Sequence, residues 1–99
     1  MPINILSEKY MKYLEVLGSE ERIKILELLM KKKMCVQEIV SNFFASQATI
    51  SYHLSLLKEV GFITAEKDGK YIYYSLAEKA IKEYLKNFVR DFSLSFTSR

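Results

Sequence analysis

The chain has 99 residues, of which 49% are hydrophobic and 27% are charged, and its formal net charge is +3. This length predicts a single domain, the hydrophobic content excludes intrinsic disorder, and the charge is too small to indicate nucleic-acid binding by itself. The apolar stretches are too short to span a membrane and no secretory leader opens the chain, so we expect a cytoplasmic protein.

Two amphipathic helices are predicted in the first third of the chain. The first begins after Ser7, covers about residues 5–17 and ends at Gly18. Its apolar side carries Leu6, Tyr10, Tyr13, Leu14 and Leu17. The second helix is capped by Ser19, since serine accepts hydrogen bonds from the free N–H groups of a first turn. Its apolar stripe consists of Ile23, Ile25, Leu26, Leu29 and Met30.

A third, short helix is predicted over residues 36–43, and a fourth begins near Ser46 and stops at Gly61. At about 100° per residue, Ile50, Leu54 and Leu57 of the fourth helix point inward. The residues that point outward are small or polar for two turns: Ala48, Tyr52 and Ser55, flanked by Thr49 and Ser51. A DNA groove can therefore approach the start of this helix closely.

A hairpin and a long helix complete the chain. Two strands, residues 62–66 and 71–76, flank Lys67-Asp68-Gly69-Lys70, and an Asp-Gly pair between apolar runs is the strongest short hairpin signal. The last helix covers about residues 77–92, and we expect the serine-rich end, residues 93–99, to fray. One side of this helix is apolar: Ile81, Tyr84, Leu85, Phe88, Val89 and Phe92.

The order α-α-α-α-β-β-α predicts one mainly α winged helix-turn-helix domain over residues 1–99. In such a domain the fourth helix enters the DNA major groove and the hairpin lies beside it as a wing. A domain of this size would not cover the apolar stripes of both terminal helices, so we expect a homodimer built on them. The predicted interface residues are Tyr10, Tyr13, Leu14, Leu17, Ile81, Leu85, Phe88 and Phe92. Two recognition helices would then reach successive major grooves, roughly 34–36 Å apart, of a palindromic operator.

Four segments of the chain together resemble the ArsR/SmtB (arsenical-resistance-repressor) family of winged-helix transcriptional repressors. The segments are residues 17–26, 46–54, 57–63 and 68–76, and their succession is more specific than any one of them alone. The resemblance implies a homodimer that occludes double-stranded DNA at promoters and releases it when an inducer binds. It does not name the operator, the inducer or the regulated genes.

The resemblance also assigns the DNA contacts. Base contacts fall on Gln47, Ala48, Ser51 and Tyr52, with Thr49 adjacent. Glutamine can bridge N6 and N7 of adenine, and an alanine methyl can meet a thymine methyl. At the wing tip, the positions that reach phosphates or the minor groove are Lys67, Lys70 and Tyr71. Contacts of that kind position a protein on DNA but specify little sequence.

The metal sites known in the family lack their ligands in this chain. Where the third helix of the family has Cys-Val-Cys-Asp, this chain has Cys35-Val36-Gln37-Glu38, and glutamine is a poor ligand for soft metals. The site on the last helix aligns with Glu78, Ala80 and Asp91 and contains no histidine. We therefore predict no metal and no other cofactor.

The only histidine, His53, lies in the recognition helix, about 60° from the inward Ile50. We expect it to pack or to contact a phosphate rather than to bind a metal. Since one histidine and one cysteine leave no nucleophile-base pair with an orienting group, the chain is not expected to be an enzyme.

Two alternatives to a repressor that does not respond to metals stay open. Cys35, the single cysteine, is either a partly buried apolar residue or the thiol of a redox-sensing repressor, since it lies at a helix start with Lys33 nearby in the sequence. The winged helix can also serve as a protein-interaction module or as a module for non-specific DNA packaging. An architectural protein of that last kind would be expected to carry more lysine and arginine.

Overall fold

Five helices and three short strands form the part of the chain that the computed structural model describes, residues 4–97, with side chains described from residue 8 to residue 96. The elements in chain order are α1 (Asn4–Leu17), α2 (Glu20–Leu29), β1 (Met34–Cys35), α3 (Val36–Val40), α4 (Gln47–Glu59), β2 (Ile63–Asp68), β3 (Tyr71–Leu76) and α5 (Glu78–Thr97). The predicted winged helix-turn-helix is confirmed, with one additional strand, β1.

The three strands form one antiparallel sheet in the order β1-β3-β2. Strands β2 and β3 pair from Ile63 opposite Leu76 to Asp68 opposite Tyr71, which leaves a two-residue turn. Gly69 in this turn has φ +64°, a left-handed conformation that glycine adopts without strain. The hairpin predicted around Asp-Gly is therefore present.

The core lies between the helix-turn-helix and the base of the sheet. The inward residues predicted for α4, Ile50, Leu54 and Leu57, are all buried, as are Ile39 of α3 and Ile63 of β2. Ile50, Leu54 and Leu57 recur at four- and three-residue spacing, so one whole side of α4 is buried in this core. This packing holds the start of α4 at the surface.

Three predicted helix boundaries are confirmed by local geometry. The Ser19 side chain accepts a hydrogen bond from the backbone N–H of Arg22, and the Ser46 side chain accepts one from that of Thr49. Gly61 has φ +82° just beyond α4, where a residue with a side chain would be strained. These caps satisfy backbone groups that a helix end would otherwise leave without partners.

Other boundaries differ from the prediction. Helix α1 begins at Asn4, three residues before the expected cap at Ser7, whose side chain lies outside the described residues, as does that of Leu6. Helix α3 ends at Val40 rather than residue 43, because the Asn42 side chain donates to the Glu38 carbonyl oxygen (3.0 Å) and the chain turns away. Strand β2 continues two residues beyond residue 66, to Asp68.

Helix α5 does not fray at residue 93 but continues to Thr97. The rings of Phe88, Phe92 and Phe96 follow one another along one side, with centroid distances of 5.7 and 4.6 Å. The Ser95 hydroxyl also donates to the Asp91 carbonyl oxygen (3.0 Å). Ring contacts at four-residue spacing stabilise a helix, and they extend this one through the serine-rich segment.

The first and last helices pack against each other within one protomer. Tyr10 of α1 is only 2% exposed, since its ring lies 5.5 Å from that of Tyr84 and 5.0 Å from that of Phe88. The expectation that Tyr10 faces a partner subunit is corrected by this burial, which leaves it no surface to offer. Leu85 and Phe92 of α5 are each 43% exposed and remain available.

Two residues of the apolar stripe predicted for α2 are exposed. Ile23 and Met30 are seven residues apart on one side of the helix, and with Leu85 they line an open apolar cavity of about 510 Å³ between α2 and α5. The core covers the other side of α2, where Ile25 and Leu29 are buried.

Candidate nucleic-acid interface

The start of α4 presents a polar surface over two turns. Gln47, Ala48 and Ser51 are exposed, and Tyr52 is 59% exposed. The opposite side of the same turns is fixed in the core by Ile50, which is fully buried. An exposed polar helix start with a buried back is the arrangement by which helix-turn-helix proteins approach base edges.

The cap of α4 engages Thr49. The Ser46 hydroxyl oxygen lies 3.1 Å from the backbone nitrogen of Thr49 and 3.0 Å from its hydroxyl oxygen. Thr49 is therefore exposed but partly committed to holding the helix start, which leaves Gln47 and Ser51 with the freer polar groups. Further along, the Ser55 hydroxyl donates to the Tyr52 carbonyl oxygen (2.7 Å).

His53 packs against an arginine that sequence reasoning missed. Nη1 of Arg22 lies 3.1 Å from Nδ1 of His53. Because a guanidinium group only donates, Nδ1 must accept, which makes the imidazole neutral with its proton on Nε2. Partial burial and then the charge of Arg22 hold the pKa of His53 below its usual range. The packing role predicted for His53 agrees with this contact.

Arg22 also connects α4 to the end of α1. Its Nε donates to the carbonyl oxygen of Val16 (2.6 Å) and its Nη2 to that of Glu15 (3.2 Å). The last carbonyls of a helix lack partners within it, and a guanidinium satisfies them well. The sequence contains one signal for this contact. Arg22 places a positive charge in the first turn of α2, where it opposes the helix dipole, so a compensating partner is expected.

The wing carries lysines next to tyrosine rings. Lys67 and Lys70 are exposed, and Lys70 Nζ lies 5.4 Å from the ring centre of Tyr71. A second pair, not predicted, places Lys33 Nζ 5.4 Å from the ring centre of Tyr73. Lys33 reaches the sheet because it directly precedes β1, whose Cys35 pairs with Tyr73. Three lysines from two segments thus lie on or beside the wing.

Cys35 of β1 is buried. It is 7% exposed, and its backbone N–H donates to Oε1 of Glu38 (3.2 Å). That bond and an ion pair with Lys32 (3.2 Å) lower the pKa of Glu38. Burial of this kind favours the packing interpretation of the thiol, whereas redox sensing stays an untested alternative.

The carboxylates that align with the family metal site on α5 are engaged by cations. Glu78 forms an ion pair with Lys82 (2.9 Å), and Asp91 forms one with Lys9 (3.1 Å). Asp91 also accepts a hydrogen bond from the Tyr10 hydroxyl. This hydrogen bond is the largest cause, and the one from Lys9 the next, of the lowering of the pKa of Asp91 from 3.8 to about 2. Among residues 4–97, no cluster of three or more His, Cys, Asp or Glu could hold a metal ion.

The same described range holds no helix that is both long and apolar enough to cross a membrane. The longest, α5, has 20 residues but carries charges along its length.

Known proteins similar to this chain are transcriptional regulators. Residues 19–65 match the family described as bacterial regulatory protein, arsR family. An uncharacterized HTH-type transcriptional regulator of Methanocaldococcus jannaschii is 37% identical over 83 residues, 80% of this chain and 93% of that protein. The arsenical resistance operon repressor of Bacillus subtilis is 32% identical over 81 residues, 81% of this chain and 77% of that protein.

A solved structure resembles the whole fold. It is the homodimeric winged helix-turn-helix DNA-binding domain of a protein from Mycobacterium bovis, with a TM-score of 0.71, 26% identity and coverage of 92% of this chain and 87% of that one. Some matched regulators are longer, and the chain spans about half (53%) of a Listeria innocua protein named for cadmium resistance.

Proposed function

The chain belongs to the ArsR family of bacterial regulatory proteins, and we propose that it represses transcription by binding a palindromic operator as a homodimer. The single observation that supports sequence reading is the polar surface at the start of α4, with Gln47 and Ser51 exposed and their helix anchored by buried Ile50. Relatives and fold alike are those of transcriptional regulators and not of enzymes. A promoter-binding protein acts where its DNA is, so we expect it in the cytoplasm.

The homodimer is supported by exposed apolar side chains on the terminal helices. Leu14 of α1 and Leu85 and Phe92 of α5 are large, apolar and exposed in the single chain. Large exposed apolar surfaces mark interaction sites, and the similar Mycobacterium bovis domain is described as homodimeric. A two-fold dimer would present two copies of α4, which matches a palindromic site.

The proposal is tested by selecting duplexes from a random pool with the full chain and comparing its affinity for the enriched duplex with that for random DNA at a stated salt concentration. We expect a palindromic consensus and a preference of at least about 10³-fold. Equal affinity for both, with a steep salt dependence, would instead indicate a packaging module. No DNA binding at all would indicate a protein-interaction module.

We further propose that metals do not regulate this repressor, although relatives are named for arsenical and cadmium resistance. The reasons are the glutamine at position 37 in place of a second thiol and the engagement of Glu78 and Asp91 by lysines. A soft metal would find one buried thiol, which makes a weak site.

Zn(II), Cd(II) and As(III) are therefore expected to leave binding of the enriched duplex unchanged. An oxidant is expected to do the same, both for the wild type and for Cys35→Ser. Tight stoichiometric metal binding that releases DNA would contradict the proposal. Release by oxidant that is lost in Cys35→Ser would establish the redox-sensing alternative. The inducer, if one acts, would then be sought among other small molecules.

A further inference from the structure

A phenylalanine stands fully exposed in the turn between α3 and α4. Phe44 has a relative exposure of 113%, the highest among the large apolar side chains of the described residues. Isolated exposed apolar side chains are common on proteins, so position decides what Phe44 does. Turn positions of this kind are ordinarily taken by glycine or small polar residues, which cost nothing when solvated.

The turn that carries Phe44 is braced on its α3 side. The Ser41 hydroxyl and the Asn42 side-chain amide both donate to the Glu38 carbonyl oxygen, at 2.6 and 3.0 Å. Lys24 Nζ donates to the Asn42 carbonyl oxygen (3.1 Å) and lies 4.8 Å from the ring centre of Phe43. Phe43 is thereby held against the protein, and the next ring along the chain is left pointing into solvent.

On its other side, Phe44 adjoins the polar surface of α4. Gln47 is three residues further along, a distance of at most about 11 Å even for extended chain. The backbone N–H groups at the start of α4 and the positive end of its dipole favour phosphate nearby. A duplex that receives Gln47 in its major groove therefore brings its backbone and outer base edges up to the turn.

We propose, on the basis of the proposed DNA-binding function, that the Phe44 ring is an apolar DNA contact at the edge of each half-site. A phenyl ring forms no hydrogen bond with phosphate, and the apolar groups that DNA offers there are thymine methyls and deoxyribose carbons. Contact with either removes apolar surface from water on both sides. Phe44 would add affinity at the flank, outside the bases that Gln47 and Ser51 read.

The test measures affinity for a duplex that the wild-type chain has enriched from a random pool, at several salt concentrations. Phe44→Ala is expected to weaken binding about fivefold or more, and Phe44→Leu less. The salt dependence should stay the same, because no charge is removed. The matched control is Leu94→Ala, which truncates another exposed apolar residue (58% exposed), on the side of α5 opposite Leu85, and should leave affinity unchanged.

Replacing thymines of the duplex one at a time by deoxyuridine, which lacks the methyl group, separates the two DNA groups. A replacement that weakens binding of the wild type but not of Phe44→Ala identifies a thymine methyl. If no replacement discriminates between them, while Phe44→Ala still binds more weakly, the contact is with deoxyribose.

Wild-type affinity in Phe44→Ala, together with weaker binding by Gln47→Ala, would overturn the Phe44 contact and leave the proposed function intact. A wild-type chain that enriches no duplex would instead overturn the proposed function, and the contact with it. Thermal unfolding of Phe44→Ala should match the wild type, since the removed ring is exposed.

Discussion

Gln47 and Lys70 are expected to contribute to DNA binding in different ways. Gln47 is exposed on the first turn of α4, where a side-chain amide can make paired hydrogen bonds to one base. Gln47→Ala should therefore weaken binding to the enriched duplex by about 1–3 kcal/mol, with little effect on random DNA. Lys70 lies at the wing tip, and Lys70→Ala should weaken binding to both duplexes. The slope of log affinity against log salt concentration should also become shallower by about the amount that one phosphate contact contributes.

The comparison requires each variant on both duplexes over a range of salt concentrations. Lys79→Ala is a suitable control, since it removes one exposed positive charge from the first turn of α5, away from the wing. If Gln47→Ala and Lys70→Ala lost affinity equally on specific and random DNA, the assignment of base reading to α4 and of phosphate contact to the wing would be wrong.

Residue patterns predicted burial well where the pattern is local. Ile50, Leu54 and Leu57 recur at helical spacing, and all three are buried as expected. The contact between Arg22 and His53 could not be predicted in that way, because 31 residues separate them and only the packing of α2 on α4 brings them together. Tyr10 was misassigned for the same reason, since its partners on α5 are more than seventy residues away.

Asp91 is expected to hold α1 on α5, since it accepts hydrogen bonds from Tyr10 and Lys9. Its pKa of about 2 lies below the ordinary 3.8, so in acid the unfolded chain takes up the proton first. The stability that the charged carboxylate supplies is therefore complete above about pH 5 and is lost as the pH falls toward 2. Asp91→Asn should be less stable at neutral pH and should lack this part of the acid loss.

Urea unfolding of the wild type and Asp91→Asn from neutral pH to pH 2 provides the measurement. Lys9→Met serves as the control, because it removes an ion pair whose lysine side chain is 54% exposed and keeps the hydrogen bond from Tyr10. Its effect should be the smaller of the two. Parallel pH curves for the wild type and Asp91→Asn would show that the carboxylate is not coupled to packing of the two helices.

Sequence patterns could not predict the short strand β1 or the position at which α5 ends. Strand β1 has two residues, Met34 and Cys35, and an alternating pattern cannot be recognised over so short a stretch. Its existence depends on β3, which supplies the hydrogen-bonding edge. The continuation of α5 beyond residue 92 depends on the ring contacts from Phe88 through Phe92 to Phe96. These contacts offset the low helix propensity of the serines in this segment. Longer elements with caps, such as α4, were predicted to within a residue.

Dimer formation is expected to depend on the exposed apolar side of α5. Leu85 is 43% exposed in the single chain, and burying it against a partner would remove that surface from water. Leu85→Asp should give a monomer, because the interface would have to bury an unpaired carboxylate. Affinity for the enriched palindromic duplex should fall sharply with it, since the two half-site contacts are no longer joined.

Sedimentation and DNA titration of the same preparations give the result. Lys86→Asp places a carboxylate on the next residue, which is also exposed, and should remain dimeric if the interface follows the Leu85 side of α5. A compact wild-type monomer that binds the palindrome tightly would contradict the proposed assembly. Equal dissociation of both variants would mean that charge on α5, rather than the position of Leu85, determines assembly.

The pairing of β1 with β3 supports the wing only at its base. Only Tyr73 and Tyr74 of β3 are held from both sides, by Cys35 and Met34 on one edge and by β2 on the other. The hairpin beyond them, residues 67–72, overhangs with a single strand pairing and little packing beneath it. Because the tip has a single strand pairing, we expect it to adjust to minor grooves of different width when the chain binds DNA, while the base of the wing stays paired on both edges.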